Sequence, residues 1–160
     1  MAITRSSKQF KAFLGSIFAI FMMASSANVL AKDDLRLFSI KEALSSNEAK
    51  SRLDPGVKLY FADQQHPQAE KSLGTWVTNK KFPLLNNKAK AVCESTFIDA
   101  IEELQRRALK EGGNAVVGIE SYYDKMIRPS VDQYVCSVGY VVVGVALRAA
   151  VIKVAESEIK

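Results

Sequence analysis

The sequence predicts an α+β fold: a small sheet of about four strands, packed by one long amphipathic helix and a short N-terminal helix, in the order α-β-β-α-β-β. Three observations predict it. Residues 88–110 keep their apolar side chains on one helical face and end at Gly112-Gly113. Runs on both sides of that helix alternate, or stay apolar, over strand lengths. Turn residues separate the pieces, and 160 residues is a single-domain length.

The first 31 residues stand apart. Arg5, Lys8 and Lys11 precede the apolar run 12–23, and a small, polar stretch 24–31 follows. That is the layout of a secretory signal, with Ala31 (or Ala27) as the cleavage residue and a single domain, 32–160, as the mature chain. A membrane anchor is the competing reading of the uncharged run 12–31. Its apolar part is only about 12 residues, short of the roughly 18–20 that a spanning helix needs, so no stable anchor is expected after cleavage. No Cys sits near the cleavage point to carry a lipid. The whole chain has 22 basic and 17 acidic residues, +5; without the leader the balance is 19 to 17, or +2. The basic character is largely the leader's and argues no nucleic-acid partner.

The elements follow in order. Residues 32–34 form a charged start. Ser39 with Glu42 makes a capping box for a helix from about 40 to 53, broken near 45–47 and stopped by Asp54-Pro55-Gly56. In 57–62, Val57, Leu59 and Phe61 alternate as a strand. A polar connection, 63–71, leads to a second strand at 72–78, and 79–87 reads as a basic, Asn-containing loop around Phe82-Pro83. In the long helix Cys93, Phe97, Ala100, Ile101, Leu104 and Ala108 share a sector of about 100°. Glu102/Arg106 and Glu103/Arg107 have favourable i,i+4 order. Residues 114–123 form a third strand; Ala115 to Ile119 lack polar alternation, as in a strand buried on both faces. Residues 124–131 are a connection. The last strand begins near Gln133, and Gly139 and Gly144 are the places for a bend. Tyr134, Cys136, Val138 and Tyr140 share one face of it.

Cys93 and Cys136 are the chain's two cysteines. In an oxidising compartment they allow one disulfide; two buried free thiols are the alternative. A bridge would require the Tyr134-Cys136-Val138 face, not that of Val135 and Ser137, to lie under the helix.

The helix, the Gly112-Gly113-Asn114-Ala115-Val116-Val117-Gly118-Ile119 step and the following apolar strand resemble the YbjQ family and the stress-sensor lipoprotein RcsF, over a core of about 72–153. Tyr134-Val135-Cys136 is similar to a strand of RcsF whose cysteine is bridged to one near the start of the preceding helix, which implies Cys93 as partner. The leader, with Leu37-Phe38-Ser39-Ile40-Lys41-Glu42-Ala43-Leu44 and Leu53-Asp54-Pro55-Gly56-Val57-Lys58-Leu59-Tyr60-Phe61, resembles small exported bacterial proteins often labelled "excinuclease ATPase subunit". The RcsF likeness implies a non-enzymatic periplasmic or secreted interaction or envelope-sensing domain, with an envelope protein as partner. The YbjQ likeness implies instead a small-ligand or metal-ion module, with a homo-oligomer left open.

The ATPase label meets a chemical objection. Gly113 to Gly118 has the glycine spacing of a phosphate loop, yet Ile119-Glu120 stands where Lys and Ser/Thr are needed, and the segment opens a strand rather than a helix. His66 has no second His and no free thiol to make a triad or a His-based metal site, so no catalytic, cofactor or metal residues are assigned. Asp33-Asp34 and Glu102-Glu103 could be called paired carboxylates, but adjacent residues point apart on a helix, so Glu102-Glu103 make no acid/base pair. Trp76, Tyr122, Tyr123 and Tyr134 read as sheet packing before contact surface. Lys80, Lys81, Lys88 and Lys90 form a loose basic cluster near the start of the long helix, which reads as a solubilising surface before a contact for an anionic envelope partner.

Overall fold

The computed structural model describes residues 34–84, 88–155 and 157. The cleavage residues Ala31 and Ala27, and Asp33, lie outside the described residues. The rest is a mixed α+β domain: β1 (Asp34–Ser39), α1 (Ile40–Ser45), α2 (Asn47–Arg52), β2 (Lys58–Phe61), β3 (Lys71–Pro83), α3 (Ala89–Glu111), β4 (Ala115–Tyr123), β5 (Met126–Arg128), β6 (Gln133–Val138) and β7 (Val142–Lys153).

The long helix forms where its apolar stripe requires it. Cys93, Phe97, Ala100, Ile101, Leu104 and Ala108 are all buried against the sheet. Its two terminal glycines act differently. Gly112 turns left-handed at φ 80, so that the Gly112 and Gly113 N–H groups donate to Leu109 O (3.1 Å) and Ala108 O (2.8 Å) in a Schellman turn. Gly113 is needed for space: a Cβ there would stand 2.6 Å from Val151 Cγ1 and 2.9 Å from Ile152 O.

Strand β7 is the spine of a curled seven-stranded sheet. One edge pairs along its whole length with β3, from Lys71 opposite Lys153 to Pro83 opposite Val142. Two strands share the other edge. Strand β6 takes the beginning, at Ser137–Gly144 and Val138–Val143, and β4 takes the end, from Ala115–Ile152 to Ser121–Leu147. Strand β1 extends β6 antiparallel, and β2 extends β4 in parallel. Strand β4 is buried on both faces, as its unbroken apolar run implies: Val116 and Ile119 join the main core, Ala115 and Val117 a second cluster.

Cys93 and Cys136 are joined by a disulfide, Cα–Cα 6.0 Å, between α3 and β6. The face of β6 under the helix is the one the bridge demands, with Tyr134, Cys136 and Val138 in the main core. Beside it Phe38, Tyr134, Phe97 and Phe61 stack in a row, with centroid separations of 5.9, 4.0 and 6.3 Å. Burial, and then the carboxylates of Glu94 and Glu42, push the Tyr134 phenol well above its ordinary value. Tyr140 leaves that face. It sits 90% exposed in the turn between β6 and β7.

The expected four strands and their order need correction: seven strands are present among the described residues. Of the charged start only Asp34 is described; it opens β1, which gains its strand form from pairing with β6. Residues 79–83 are the second half of β3 rather than loop. An edge strand needs partners on one side only, so Lys80, Lys81 and Pro83 are compatible with it. The 124–131 connection contains β5, in a hairpin whose turn residues Asp124 and Lys125 both have positive φ (51 and 60), the type I′ geometry that suits strand twist. The last strand is two: Gly139 marks the break, its N–H donating to Val142 O at 2.9 Å. Gly144 does not bend the chain; a Cβ there would strike Ser137 Oγ at 2.8 Å. The N-terminal helix is two short ones, each capped by a serine: Ser39 Oγ accepts from Glu42 N, and Ser46 Oγ from Ala49 N. The acid of the expected capping box reaches Lys90 instead, at 2.8 Å.

Candidate interaction site

The two flanks of α3 have different neighbours. On one, Arg52 of α2 bonds Glu48 (2.7 Å), Asp99 and Glu102. Beside it Gln105, 3% exposed, donates to Asp54 O and Val57 O and accepts from Asp54 N, each at 2.9 Å. The other flank faces β3. Beyond β3 the described residues supply no further strand.

Strand β3 is the longest strand and an edge strand. Eight of its 13 residues are exposed, and among the described residues β7 is its one strand partner. A bulge between Ser72 and Gly74 sets its register. Gly74 (φ 133) lets the Trp76 ring fold over it; a Cβ there would come within 2.8 Å of Trp76 Cη2. From that point alternate side chains turn toward α3. Trp76 lies under the Arg107 guanidinium, 5.5 Å from the ring centre, and Lys80 pairs with Glu103. Between them Thr78 is 3% exposed, and its Oγ1 reaches the Glu103 carboxyl only weakly, short of a hydrogen bond of good geometry.

On α3, Glu103, Arg106, Arg107 and Lys110 follow the i, i+3, i+4, i+7 spacing of one helical face. With Trp76 and Thr78 they line a groove of about 430 Å³. Its charge is mainly positive. The bond from Lys80, and secondarily the nearby charges of Lys80 and Arg106, hold the Glu103 carboxyl below the usual range against the effect of burial; the Thr78 hydroxyl adds the smallest influence. Arg107 also bonds Glu111 at 3.1 Å. Among the described residues Arg106 and Lys110 take part in no ion pair.

The residues singled out in the sequence are thus redistributed. Glu102 and Glu103 bond Arg52 and Lys80 across the fold rather than Arg106 and Arg107 one turn along. The basic cluster separates: Lys80 lies at the β3 groove, whereas Lys88 and Lys90 border a second groove at the start of α3, with Arg36 and Glu94. Asp34 bonds Arg36 at 2.8 Å. His66 is exposed, its Nδ1 2.8 Å from Pro67 O and its ring 5.7 Å from that of Tyr60. Tyr134 belongs to the core, and Trp76 belongs to the groove. Gly113 to Gly118 forms the helix-ending turn and strand β4, where the Gly113 and Asn114 N–H groups bond Ala108 O and Ile152 O. The i+3/i+4 spacing of 103, 106, 107 and 110 was a readable signal for the basic flank; its partner strand was hidden because 79–83 reads as loop.

Among the described residues, no group of three or more His, Cys, Asp or Glu could hold a metal ion, and no helix is long and apolar enough to cross a membrane. Comparison of the chain with protein-family models, with curated proteins and with solved structures gives no match in any of the three.

Proposed function

We propose that this chain is a non-enzymatic, exported interaction domain of the bacterial envelope, which engages its partner by accepting a strand along the open edge of β3. One observation carries this reading. Among the described residues the longest strand of the sheet is paired on one side only, and its N–H and C=O groups on the other side form a ready template for an extended chain. The edge is guarded at its ends and open in its middle: Lys71 and the bulge stand before Thr75, Lys80, Lys81 and Pro83 follow Asn79, and residues 75–79 carry no charge. The disulfide and the leader pattern support an oxidising compartment.

Amide hydrogen exchange tests the edge. In the isolated domain, every second amide of 75–79 exchanges fast while those bonded to β7 are protected. Uniform protection along β3 in a monomer would sink the reading, because the edge would then be covered already. A second reading, a small-ligand module, is favoured by the 430 Å³ groove and the unbonded Thr78 hydroxyl at it. Native mass spectrometry of protein purified from the periplasm separates the two: a retained small molecule favours the second, a bare chain the first.

A further inference from the structure

The groove and the open edge are parts of one surface. A strand added to β3 would lie beneath the basic flank of α3, with every second side chain directed at it. Such a strand offers side chains about 6.7 Å apart on one face, and Arg106 and Lys110 are separated by a helical rise of about 6 Å. Both cations are exposed and form no ion pair among the described residues, although the Arg106 charge is felt by Glu103. The acid on this flank, Glu103, is already neutralised by Lys80. The lysines that guard the edge repel a basic strand and attract an acidic one.

Resting on the strand-addition reading, we infer that the partner is an acidic extended segment: its backbone pairs with residues 75–79 of β3, and Asp or Glu at alternate positions meets Arg106, Arg107 and Lys110. The Thr78 hydroxyl supplies a donor at the floor of the groove, and Trp76 a flat apolar wall. Arg107 shifts from the Trp76 ring toward an incoming carboxylate, so binding is visible in the emission of Trp76, the chain's one tryptophan.

The test uses the purified domain and short capped peptides in which Thr alternates with Glu, with Gln or with Lys. The Glu peptide is expected to change Trp76 emission, to protect the amides of 75–79, and to bind roughly tenfold tighter than the Gln peptide, the sum of a few exposed charge pairs. The advantage disappears in an Arg106→Ser/Lys110→Ser variant, whose substitutions touch only exposed side chains, and it shrinks as salt is added. Glu peptide methylated at every second backbone nitrogen binds in only one of the two registers of methylation. Equal binding of Glu and Gln peptides, with 75–79 protected, overturns the acidic preference and leaves strand addition standing. No protection by any peptide overturns both. Inorganic pyrophosphate that changes Trp76 emission, depends on Arg106 and Lys110, and displaces the Glu peptide without protecting 75–79 assigns the groove to small anions and overturns the inference.

Discussion

The two flanks of α3 are held by opposite means. Toward α2 and β6 the helix is closed in: a disulfide fixes its first turns, the Phe97–Tyr134 stack lies under them, and Arg52 and Gln105 satisfy the polar groups farther along. Toward β3, beside the apolar packing of Leu73 and Trp76 on the core, the polar contacts among the described residues are one ion pair and one cation–aromatic contact, and a buried hydroxyl is left without a bond. The difference shows where the fold spends its stability. The closed flank builds a rigid support, and the open flank keeps charges and an edge available at a cost in stability.

Loss of the crosslink is the strongest way to break this comparison. The bridge spans a sequence separation of 43, for which the chain-entropy model gives about 4 kcal/mol. A Cys93→Ala/Cys136→Ala variant should lose that much in urea unfolding, with hydrogen-exchange protection falling first in β6 and the start of α3. A loss below about 1 kcal/mol, or first fraying at β3, would show that the closed flank does not depend on its staple. The second test removes polar groups from each flank in turn. Gln105→Met removes three hydrogen bonds and leaves the buried Val57 O without its partner, so it should cost about 1–3 kcal/mol. Thr78→Val keeps the shape and removes an unbonded hydroxyl, so it should stabilise by up to about 1 kcal/mol. Equal signs in the two unfolding curves would erase the distinction.

How far the sequence disclosed each flank follows the same line. The closed flank was legible because its signals are local and periodic: the stripe from Cys93 to Ala108, the Gly112-Gly113 stop, and the alternation that puts Tyr134, Cys136 and Val138 on one face. The open flank was not. Residues 79–83 have loop composition and become strand only through pairing with the apolar edge of β7, a contact about 60 residues away in sequence. Strand β1 hid for a similar reason; Leu35 and Leu37 alternate with Asp34 and Arg36, yet Leu37 is 60% exposed, so the hydrophobic pattern does not mark the core face. Strand β5 follows a turn whose second residue is Lys125 rather than the glycine that announces such hairpins. Spacing gave Glu102 and Glu103 in-helix partners. Arg52 and Lys80 took them because long-range folding brought those cations closer.

The smallest effect is the most specific to the open flank. Lys80 and Glu103 form the one ion pair among the described residues that ties β3 to α3, with side chains 27% and 44% exposed. Screening by solvent holds the value of such a pair to about 0.2–1 kcal/mol. Because Lys80 holds the folded carboxyl below its ordinary value of 4.5, the contribution is present above that value and is lost as pH falls through the folded one. The difference in unfolding free energy between the unaltered chain and Lys80→Met should therefore be constant near neutral pH and close toward zero in acid. Lys80→Met that stayed equally destabilised after Glu103 is protonated would mean that Lys80 acts through its aliphatic stem on the sheet. The ion pair would then hold no part of the groove, and β3 would be fixed by β7 and Trp76 alone.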